Sequence, residues 1–449
     1  MELPVDSLTS LDKAIAAGQY SDYIYMYPPR QAYRQLDTKI PTIRAMVRRD
    51  LATRDDINLY VHVPFCAQIC RFCNLYTTAI RDSNIYGQYV DRVIGEAEAY
   101  ASSNMLPVTP RWRTLYFGGG TPSALPLDLL GSLLSALRNR LNVDNVEETA
   151  IEVAPETVTI EYLQGLRVLG FDRVSIGFQS TSPVEIRSIG RSYSAEKQAE
   201  IAEAALNLGF RNLCLDLIFG LPGQDQRSWQ QSLKSVIAMR PHTICCYQWT
   251  SRPNTGFQRM GLHRPPGADM RGLYSSACRE LEHAGYMQET HVRWISDGGG
   301  YLQKQYHWGL QNLLGLGAGA RSYFWNVDLR NGYSIKTRQK ALQAYLKSGG
   351  VGWQTAPEGY QMSTDERQRK AVILGIHSLG REWFKSLFGV DALTLFPDEI
   401  QGLERRRLVE VTSDRICLTG KGRANRDLIV QLFFSDTART LTREWTYDE

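Results

Sequence analysis

Tyr60-Val-His-Val-Pro-Phe-Cys66-Ala-Gln-Ile-Cys70-Arg-Phe-Cys73 places three cysteines on one short, turn-rich loop directly after a β-branched run. Three thiolates so spaced suit three irons of a cubane [4Fe–4S] cluster, leaving the fourth iron open to a substrate or cofactor. Electron-carrier clusters usually have four protein ligands, so the missing one points to chemistry rather than storage. The same cysteines with His62 as a fourth ligand would make a structural zinc site. Against that, His62 falls within the strand reading Leu59 to Val63, and zinc sites usually use paired ligand knuckles.

Outward from this loop, short β-rich runs alternate with longer helical stretches, the pattern of a parallel sheet built from βα units. The strands expected are Leu59 to Val63, Thr114 to Phe117, Ala150 to Val153, Arg173 to Phe178, Asn212 to Ile218 and Thr243 to Gln248. Helical patterns lie between them: Ile85 to Ser102, Pro126 to Leu141, Ile160 to Leu169, Ala195 to Leu208 and Ser228 to Met239. Six such units imply an incomplete TIM-like barrel, a partial (β/α)6 fold. Function in barrels gathers at the C-terminal strand ends. Here the cysteines follow the first strand and Gly118-Gly119-Gly120-Thr121-Pro122 the second. Glu152 lies near the end of the third, Gln179 just after the fourth, and Asp216 inside the fifth. The glycines allow close backbone approach, with amides free to meet a ligand. Glu152 in an apolar strand calls for a partner, either a ligand or a structural salt bridge.

The chain has 449 residues, 43% of them hydrophobic and 22% charged, with a net charge of +4 and acids and bases interspersed. That is ordinary for a soluble globular enzyme and makes no case for nucleic acid or a membrane surface. No stretch approaches the roughly 20 apolar residues of a membrane span, and Met1-Glu-Leu-Pro-Val-Asp lacks the marks of a signal peptide, so the cytoplasm is the expected compartment. Cys214, Cys245, Cys246, Cys278 and Cys417 show no ligand spacing and read as buried free thiols.

The Cys-x3-Cys-x2-Cys spacing resembles the signature of radical S-adenosylmethionine (radical SAM) enzymes, in which the open iron chelates SAM. From Leu59 to about Arg330 the motifs resemble the oxygen-independent coproporphyrinogen III oxidase group. They are Tyr60-Val-His-Val-Pro-Phe-Cys66, Phe117-Gly-Gly-Gly-Thr-Pro122, Val174-Ser-Ile-Gly-Phe-Gln179, Leu215-Asp-Leu-Ile-Phe-Gly-Leu-Pro222 and Leu314-Gly-Leu-Gly317. The resemblance implies that Cys66, Cys70 and Cys73 hold the cluster. It implies that Tyr60, Gly119, Thr121, Glu152, Gln179, Arg191 and Asp216 hold SAM. A second SAM would sit by Phe72, Gly120, Ile218, Thr250, Gln303 and Arg321.

Two departures bear on the reaction. The decarboxylating oxidases carry a further cysteine where this chain has Leu75, and the haem chaperones carry an axial histidine where this chain has Gln303, with His307 nearby. On that ground the expectation is the third branch, the class C radical SAM methyltransferases. These would transfer a methyl or methylene group from SAM to an sp2 carbon of a natural-product scaffold, by C-methylation or cyclopropanation. Porphyrin oxidation and haem delivery are the alternatives. The expected partners are a small-molecule or carrier-bound conjugated substrate and a flavodoxin- or ferredoxin-like electron donor, with the chain a monomer. Tyr247, Trp249, Trp294, Tyr306 and Trp308 are the aromatic residues expected near the cavity.

Three divisions are expected: an N-terminal arm over 1–57, the barrel with its extension over 58–348, and a C-terminal module over 349–449. The last leaves barrel patterning after Tyr333. Ser363-Thr-Asp-Glu366 reads as a capping box opening a helix through Leu379. A hairpin at Leu408 to Val411 and Arg415 to Leu418, then a helix from Ala424 to Phe434, suggest a winged-helix-like lid or substrate platform. Arg405-Arg406-Arg407 reads as a solvated helix end rather than a DNA contact.

Overall fold

The computed structural model describes residues 5–54, 56–262, 269–332, 337–354 and 357–445. The readings placed on Met1 to Pro4 and on Tyr333 lie outside them. Among the described residues, thirteen strands form one mixed sheet and three more a small antiparallel sheet.

In chain order the strands of the large sheet begin with β1 (Arg34–Gln35), β2 (Asp56–Val63), β3 (Arg111–Gly119), β4 (Glu148–Val153), β5 (Arg173–Gln179), β6 (Asn212–Phe219) and β7 (Thr243–Gln248). They continue with β8 (Met287–Thr290), β9 (Arg293–Ile295), β10 (Asn312–Leu316), β11 (Arg321–Tyr323), β12 (Val327–Arg330) and β13 (Glu358–Gln361). The order across the sheet is β1-β13-β12-β11-β10-β2-β3-β4-β5-β6-β7-β9-β8. β2 through β7 are the six expected strands, parallel and adjacent in sequence order. Helices cover their outer face. The run Ile160–Leu169 starts where the Thr159 side chain accepts from the Tyr162 N–H and stops at Gly170, whose φ of +90° ends the helix without a Cβ penalty. Leu163 and Leu166 on its inner face are buried in the core.

A seventh parallel strand joins the far side of β2: in β10, Leu314 faces Leu59 and Leu316 faces Val61. Its five residues include Gly315, which weakens any β signal in the sequence. The antiparallel strands on either edge cover the open ends of the parallel sheet, which would otherwise present unpaired amides.

The C-terminal module is winged-helix-like: β14 (Ser378–Gly380), β15 (Val409–Val411) and β16 (Arg415–Leu418) pair in the order β14-β16-β15 beside short helices. The first helix runs over Thr364–Gly375 rather than to Leu379, because Ser378–Gly380 pairs with Arg415–Cys417. The expected helix from Ala424 to Phe434 breaks into Gly420–Ala424, Arg426–Ile429 and a 3-10 turn over Val430–Phe433. Tertiary bonds from Asp427 to His291 and from Arg426 to the Ile373 carbonyl draw the chain out of one continuous helix.

The segments at both ends are built into these layers. Leu11 and Ala14 of the helix Leu8–Ala16 share a core with Ile373, Leu403 and Phe433, and Asp12 pairs with Arg406 at 2.7 Å. Past residue 349, where a new unit was expected to begin, Trp353 is buried with its indole N–H on Tyr100 Oη, and β13 joins the large sheet. Among the described residues no helix is long and apolar enough to cross a membrane.

Candidate functional site

The cysteine loop leaves the C-terminal end of β2 and is fastened by its backbone. Cys66 N–H donates to Thr78 O at 2.9 Å, Arg71 N–H to Ile189 O at 3.0 Å, and Phe257 N–H to Arg71 O at 2.8 Å. Arg71 Nη1 adds a bond to Ser188 O at 2.9 Å. So anchored, Cys66, Cys70 and Cys73 line one cavity of about 260 Å3.

The glycine loop after β3 packs directly on the cysteine loop. Gly120 N–H donates to Val63 O at 2.8 Å and Thr121 N–H to Phe65 O at 2.7 Å. A Cβ at Gly120 would lie 2.7 Å from Phe65 O, and one at Gly119, where φ is +112°, 2.6 Å from the His62 ring. Gly119 N–H donates to Glu152 Oε2 at 3.2 Å. The amides of Gly119 and Gly120 thus bind protein, contrary to the expectation that they are free for a ligand. Gly120 is needed because the backbone of the cysteine loop approaches too closely for a side chain, and Gly119 because of its positive φ and the His62 ring beside it.

Glu152 is held by the Tyr116 hydroxyl at 2.8 Å on Oε1 and by the Gly119 amide on Oε2, so its partners are hydrogen bonds of the site itself. Burial pushes its carboxyl above the usual range, against the pull of those bonds. Gln179 sits at a β-bulge against β6 with φ +67°, a left-handed conformation costly for a side-chain residue and common where a site must aim a group. Arg191 donates from Nε to Cys70 Sγ at 3.1 Å, and Nη1 bonds the Gly177 carbonyl. Thr121 Oγ1 lies 3.5 Å from Cys66 Sγ. Burial pushes the Cys66 thiol up to about 12 and raises Cys73 as well.

His62 is no ligand in this arrangement. Its Nε2 faces Tyr76 O at 2.9 Å and its Nδ1 the Tyr60 hydroxyl at 3.1 Å, and burial lowers its pKa to about 4. The zinc alternative therefore loses its fourth donor. Thr77 Oγ1 and Gln68 Nε2 are buried on the cavity wall with no hydrogen-bond partner among the described residues. Three soft sulfurs, a cation aimed at one of them and orphaned polar atoms beside open space fit an iron–sulfur cluster with a polar nucleotide next to it.

A second cavity of about 250 Å3 shares Leu75, Gly119 and Glu152 with the first. One wall is a stack of tyrosines: Tyr60 and Tyr116 have ring centres 6.1 Å apart, Tyr116 and Tyr301 5.0 Å, both near parallel. Three cations, Arg30, Lys304 and Arg321, line the same cavity. Arg321 Nη1 donates to the Tyr25 hydroxyl at 3.0 Å and Lys304 Nζ to the Tyr25 carbonyl at 3.2 Å. Burial alone would raise the Tyr25 phenol, yet Arg321 and Arg30 outweigh it and bring it down to about 7. Burial lowers Lys304 to about 8. His307 Nε2 is buried there with no hydrogen-bond partner among the described residues.

The first cavity collects Cys66, Cys70, Phe72, Cys73, Gly119 and Gly120, together with Thr121, Glu152, Gln179, Arg191 and Asp216. The second takes Tyr60, Gln303 and Arg321. Residues expected around a second SAM therefore do not line one site. Ile218 packs with Phe72 and Trp249 in an apolar cluster, and Thr250, bonded to Arg252, lines neither cavity. Gln303 is also committed to structure, donating to the Leu59 carbonyl at 3.1 Å. Of the aromatic residues expected near the cavity, Tyr247 lines it. Trp249 and Trp294 are core, Tyr306 bonds Glu147, and Trp308 packs against Arg293. Tyr25, Tyr116, Tyr301 and Tyr323 line the second cavity and were missed. Tyr116 shares β3 with the glycine motif, a usable signal; Tyr25 lies on the N-terminal segment, far in sequence from the site.

Residues 60–236 match the radical SAM superfamily. The chain is 29% identical over 401 residues to the oxygen-independent coproporphyrinogen III oxidase of Pseudomonas aeruginosa, covering 84% of this chain and 85% of that protein. It is 25% identical over 373 residues to the haem chaperone HemW of Bacillus subtilis, covering 81% of this chain and 95% of that one. The solved structure of coproporphyrinogen III oxidase HemN from Escherichia coli superposes with a TM-score of 0.76 at 23% identity, over 92% of this chain and 96% of its own.

These relatives overturn the methyltransferase expectation, and with it C-methylation and cyclopropanation. That expectation leaned on Leu75, on Gln303 and on the short stretches Tyr27 to Tyr33 and Cys73 to Thr77. Leu75 is 46% exposed at the junction of the cavities, and Gln303 ties a helix to β2. The motifs shared across the superfamily specify how a radical is made, not what it attacks. Residues 60–236 thus form a radical SAM domain, whose cofactors are a [4Fe–4S] cluster and SAM, in a chain similar over most of its length to the oxygen-independent coproporphyrinogen III oxidases and the haem chaperones.

Proposed function

We propose that this protein is a radical SAM oxidoreductase acting on a carboxylate-bearing tetrapyrrole, in the manner of coproporphyrinogen III oxidase. The observation that carries the reading is the second cavity. Its three cations and tyrosine wall suit a large conjugated polyanion, and it meets the cysteine cavity at Glu152 and Gly119.

Cys66, Cys70 and Cys73 would hold the cluster, with the Arg191 guanidinium hydrogen-bonded to the Cys70 sulfur. Thr121, Glu152, Gln179, Arg191 and Asp216 would hold SAM, with Gly119 lining the same cavity and Tyr60 the second one. When bound, cluster and SAM supply one-electron cleavage of a sulfonium and a carbon radical that removes hydrogen from an unactivated position. The chain supplies position. Arg30, Lys304 and Arg321 pair with substrate carboxylates, the tyrosine wall stacks on the ring system, and Glu152 marks the boundary across which hydrogen passes. Tyr25 and Arg30 of the N-terminal segment cover part of the second cavity, limiting the access of water to it. The cluster's electron would come from a flavodoxin- or ferredoxin-like donor, and an external acceptor would take the electron left when carbon dioxide departs.

Anaerobically reconstituted protein, given SAM, reductant and coproporphyrinogen III, is expected to release carbon dioxide together with 5′-deoxyadenosine. Cleavage of SAM with the porphyrinogen unchanged would overturn the substrate assignment.

A second reading, haem binding, is favoured by His307, whose buried Nε2 is available as an axial ligand beside the tyrosine wall. It calls for stoichiometric haem retention, lost in His307→Ala, without substrate modification.

A further inference from the structure

The outer side of the cysteine loop carries a rim of cations. Arg71, next to Cys70, is clamped between two short helices. Its N–H donates to Ile189 O at 3.0 Å, just past the helix Pro183–Ser188, and its carbonyl accepts from Phe257 N–H of the helix Gly256–Arg259 at 2.8 Å. Those helices bring Arg187 and Arg259, both exposed, to the two sides of the loop. Arg81 holds the start of the loop, its Nε donating to Ala67 O at 2.9 Å. Where these guanidiniums bond, they bond backbone carbonyls: Arg71 that of Ser188, and Arg259 that of Asn254 at 3.1 Å. Among the described residues no carboxylate pairs with any of the four. Acids on the same segments are engaged elsewhere, Glu185 buried on the Ser180 hydroxyl and Asp82 capping the helix Ser83–Ser102.

Large apolar side chains stand exposed among these charges. Ile69, directly before Cys70, is 38% exposed; Val184, one turn from Arg187 on its helix, 65%; and Met260, next to Arg259, 54%. Exposed apolar groups rimmed by charge mark an interaction surface. We infer that this face is the docking surface for an acidic electron carrier of the flavodoxin type. The inference rests on the donor proposed above and is independent of the tetrapyrrole substrate.

Position, charge and size agree. Ile69 and Arg71 flank Cys70, with Cα atoms about 3.8 Å from its own, so a carrier seated on them meets the cluster through its ligand loop. The second cavity, with Arg30, Lys304 and Arg321, uses none of these residues, which leaves substrate and carrier separate places. Four cations without carboxylate partners steer an acidic protein to this face, and the three apolar side chains suit the hydrocarbon edge of a flavin ring. Weak redox encounters bury less than about 1,200 Å2 in total, an area within reach of so small a patch. The docked carrier is oxidised by one electron and the cluster reduced by one, and no bond forms or breaks in this chain.

The test uses full-length protein, reconstituted anaerobically and given SAM, driven either by limiting reduced flavodoxin or by dithionite, which needs no docking. In Arg187→Glu/Arg259→Glu, flavodoxin-driven formation of 5′-deoxyadenosine should fall about ten- to a hundredfold while the dithionite-driven rate is unchanged. Calorimetry should show oxidised flavodoxin binding the variant about tenfold more weakly, and binding the unmutated protein more weakly as salt rises. Equal flavodoxin-driven rates and equal affinities in the two proteins overturn the surface. Should the variant lose the dithionite-driven rate as well, Val184→Asp/Met260→Asp, at two exposed positions, decides by the same comparison: loss with flavodoxin alone supports the face, and unaltered rates reject it. A ferredoxin that drives the unmutated protein where flavodoxin does not overturns the flavin carrier, and turnover with dithionite alone overturns the donor reading itself.

Discussion

Arg191 reaches from the segment after β5 to place its Nε 3.1 Å from the Cys70 sulfur, and Glu156 Oε1 stands 3.5 Å from the same nitrogen. Burial works against the guanidinium charge, yet Cys70, Tyr193 and Glu156 hold its pKa well above the usual range. The guanidinium hydrogen bond holds the sulfur in place at the edge of the cavity. A charge-assisted bond of this kind contributes about 1.5–3 kcal/mol. Arg191→Met is therefore expected to lose the cluster about ten- to a hundredfold faster under chelator, followed by the decay of iron–sulfur absorbance, with Arg191→Lys in between.

Replacing Cys66, Cys70 or Cys73 by alanine should abolish both that absorbance and SAM cleavage. The loop is held largely by backbone bonds, so circular dichroism should stay near that of the unmutated protein. Retained SAM cleavage in any of the three would contradict the ligand set.

Gly119→Ala places a Cβ 2.6 Å from a histidine ring pinned at both nitrogens, in a backbone conformation that side chains avoid. Strain and overpacking together cost about 2–5 kcal/mol. Thermal unfolding should show a marked drop. Gly87→Ala, in the helix Ser83–Ser102 with nothing within 4 Å of the new Cβ, should instead stabilise by about 0.5–1 kcal/mol.

The second cavity should bind anions less tightly as pH rises from 7 to 8. The Tyr25 phenol ionises through about 7 and the Lys304 ammonium is lost through about 8, so positive charge falls at both steps. A carboxylate-bearing substrate should then lose about tenfold in affinity across that interval, one pH unit of differential interaction being 1.36 kcal/mol. Lys304→Met should weaken binding at pH 7 and flatten the upper step. A pH-independent KM in the unmutated protein would remove these groups from recognition.

Glu366 binds three hydroxyls at once, Tyr27 and Tyr360 at 2.5 Å and Ser435 at 2.6 Å, joining the N-terminal segment to the module. Gln keeps only one acceptor oxygen, and a buried donor left without a partner costs about 1–3 kcal/mol, so Glu366→Gln should destabilise by about that amount. Limited proteolysis should cut the N-terminal segment first.

The local signals were strong where one residue type serves one purpose. Strands buried on both faces read as apolar runs, and β2 to β7 contain every one of the six expected strands. The cysteine spacing, the triple glycine and the acids at strand ends converge on one cavity for the same reason, since each follows its own strand. β10 was legible only as a glycine-containing motif, because its strand character comes from pairing with β2. The last helix broke because Asp427 and Arg426 are drawn to partners about 136 and 53 residues away.

By itself the sequence determined the parallel strands and the cluster-binding cysteine loop, because these depend on periodicity and short spacings written within single segments, while SAM followed from the resemblance those motifs carry. Tertiary structure alone decided the rest: that Tyr25 and Arg30 of the N-terminal segment complete a cavity with Lys304 and Arg321, and that Cys214 meets Cys245. Such groupings arise where distant segments share one volume, and burial there sets which groups carry charge. No pattern along the chain encodes that proximity.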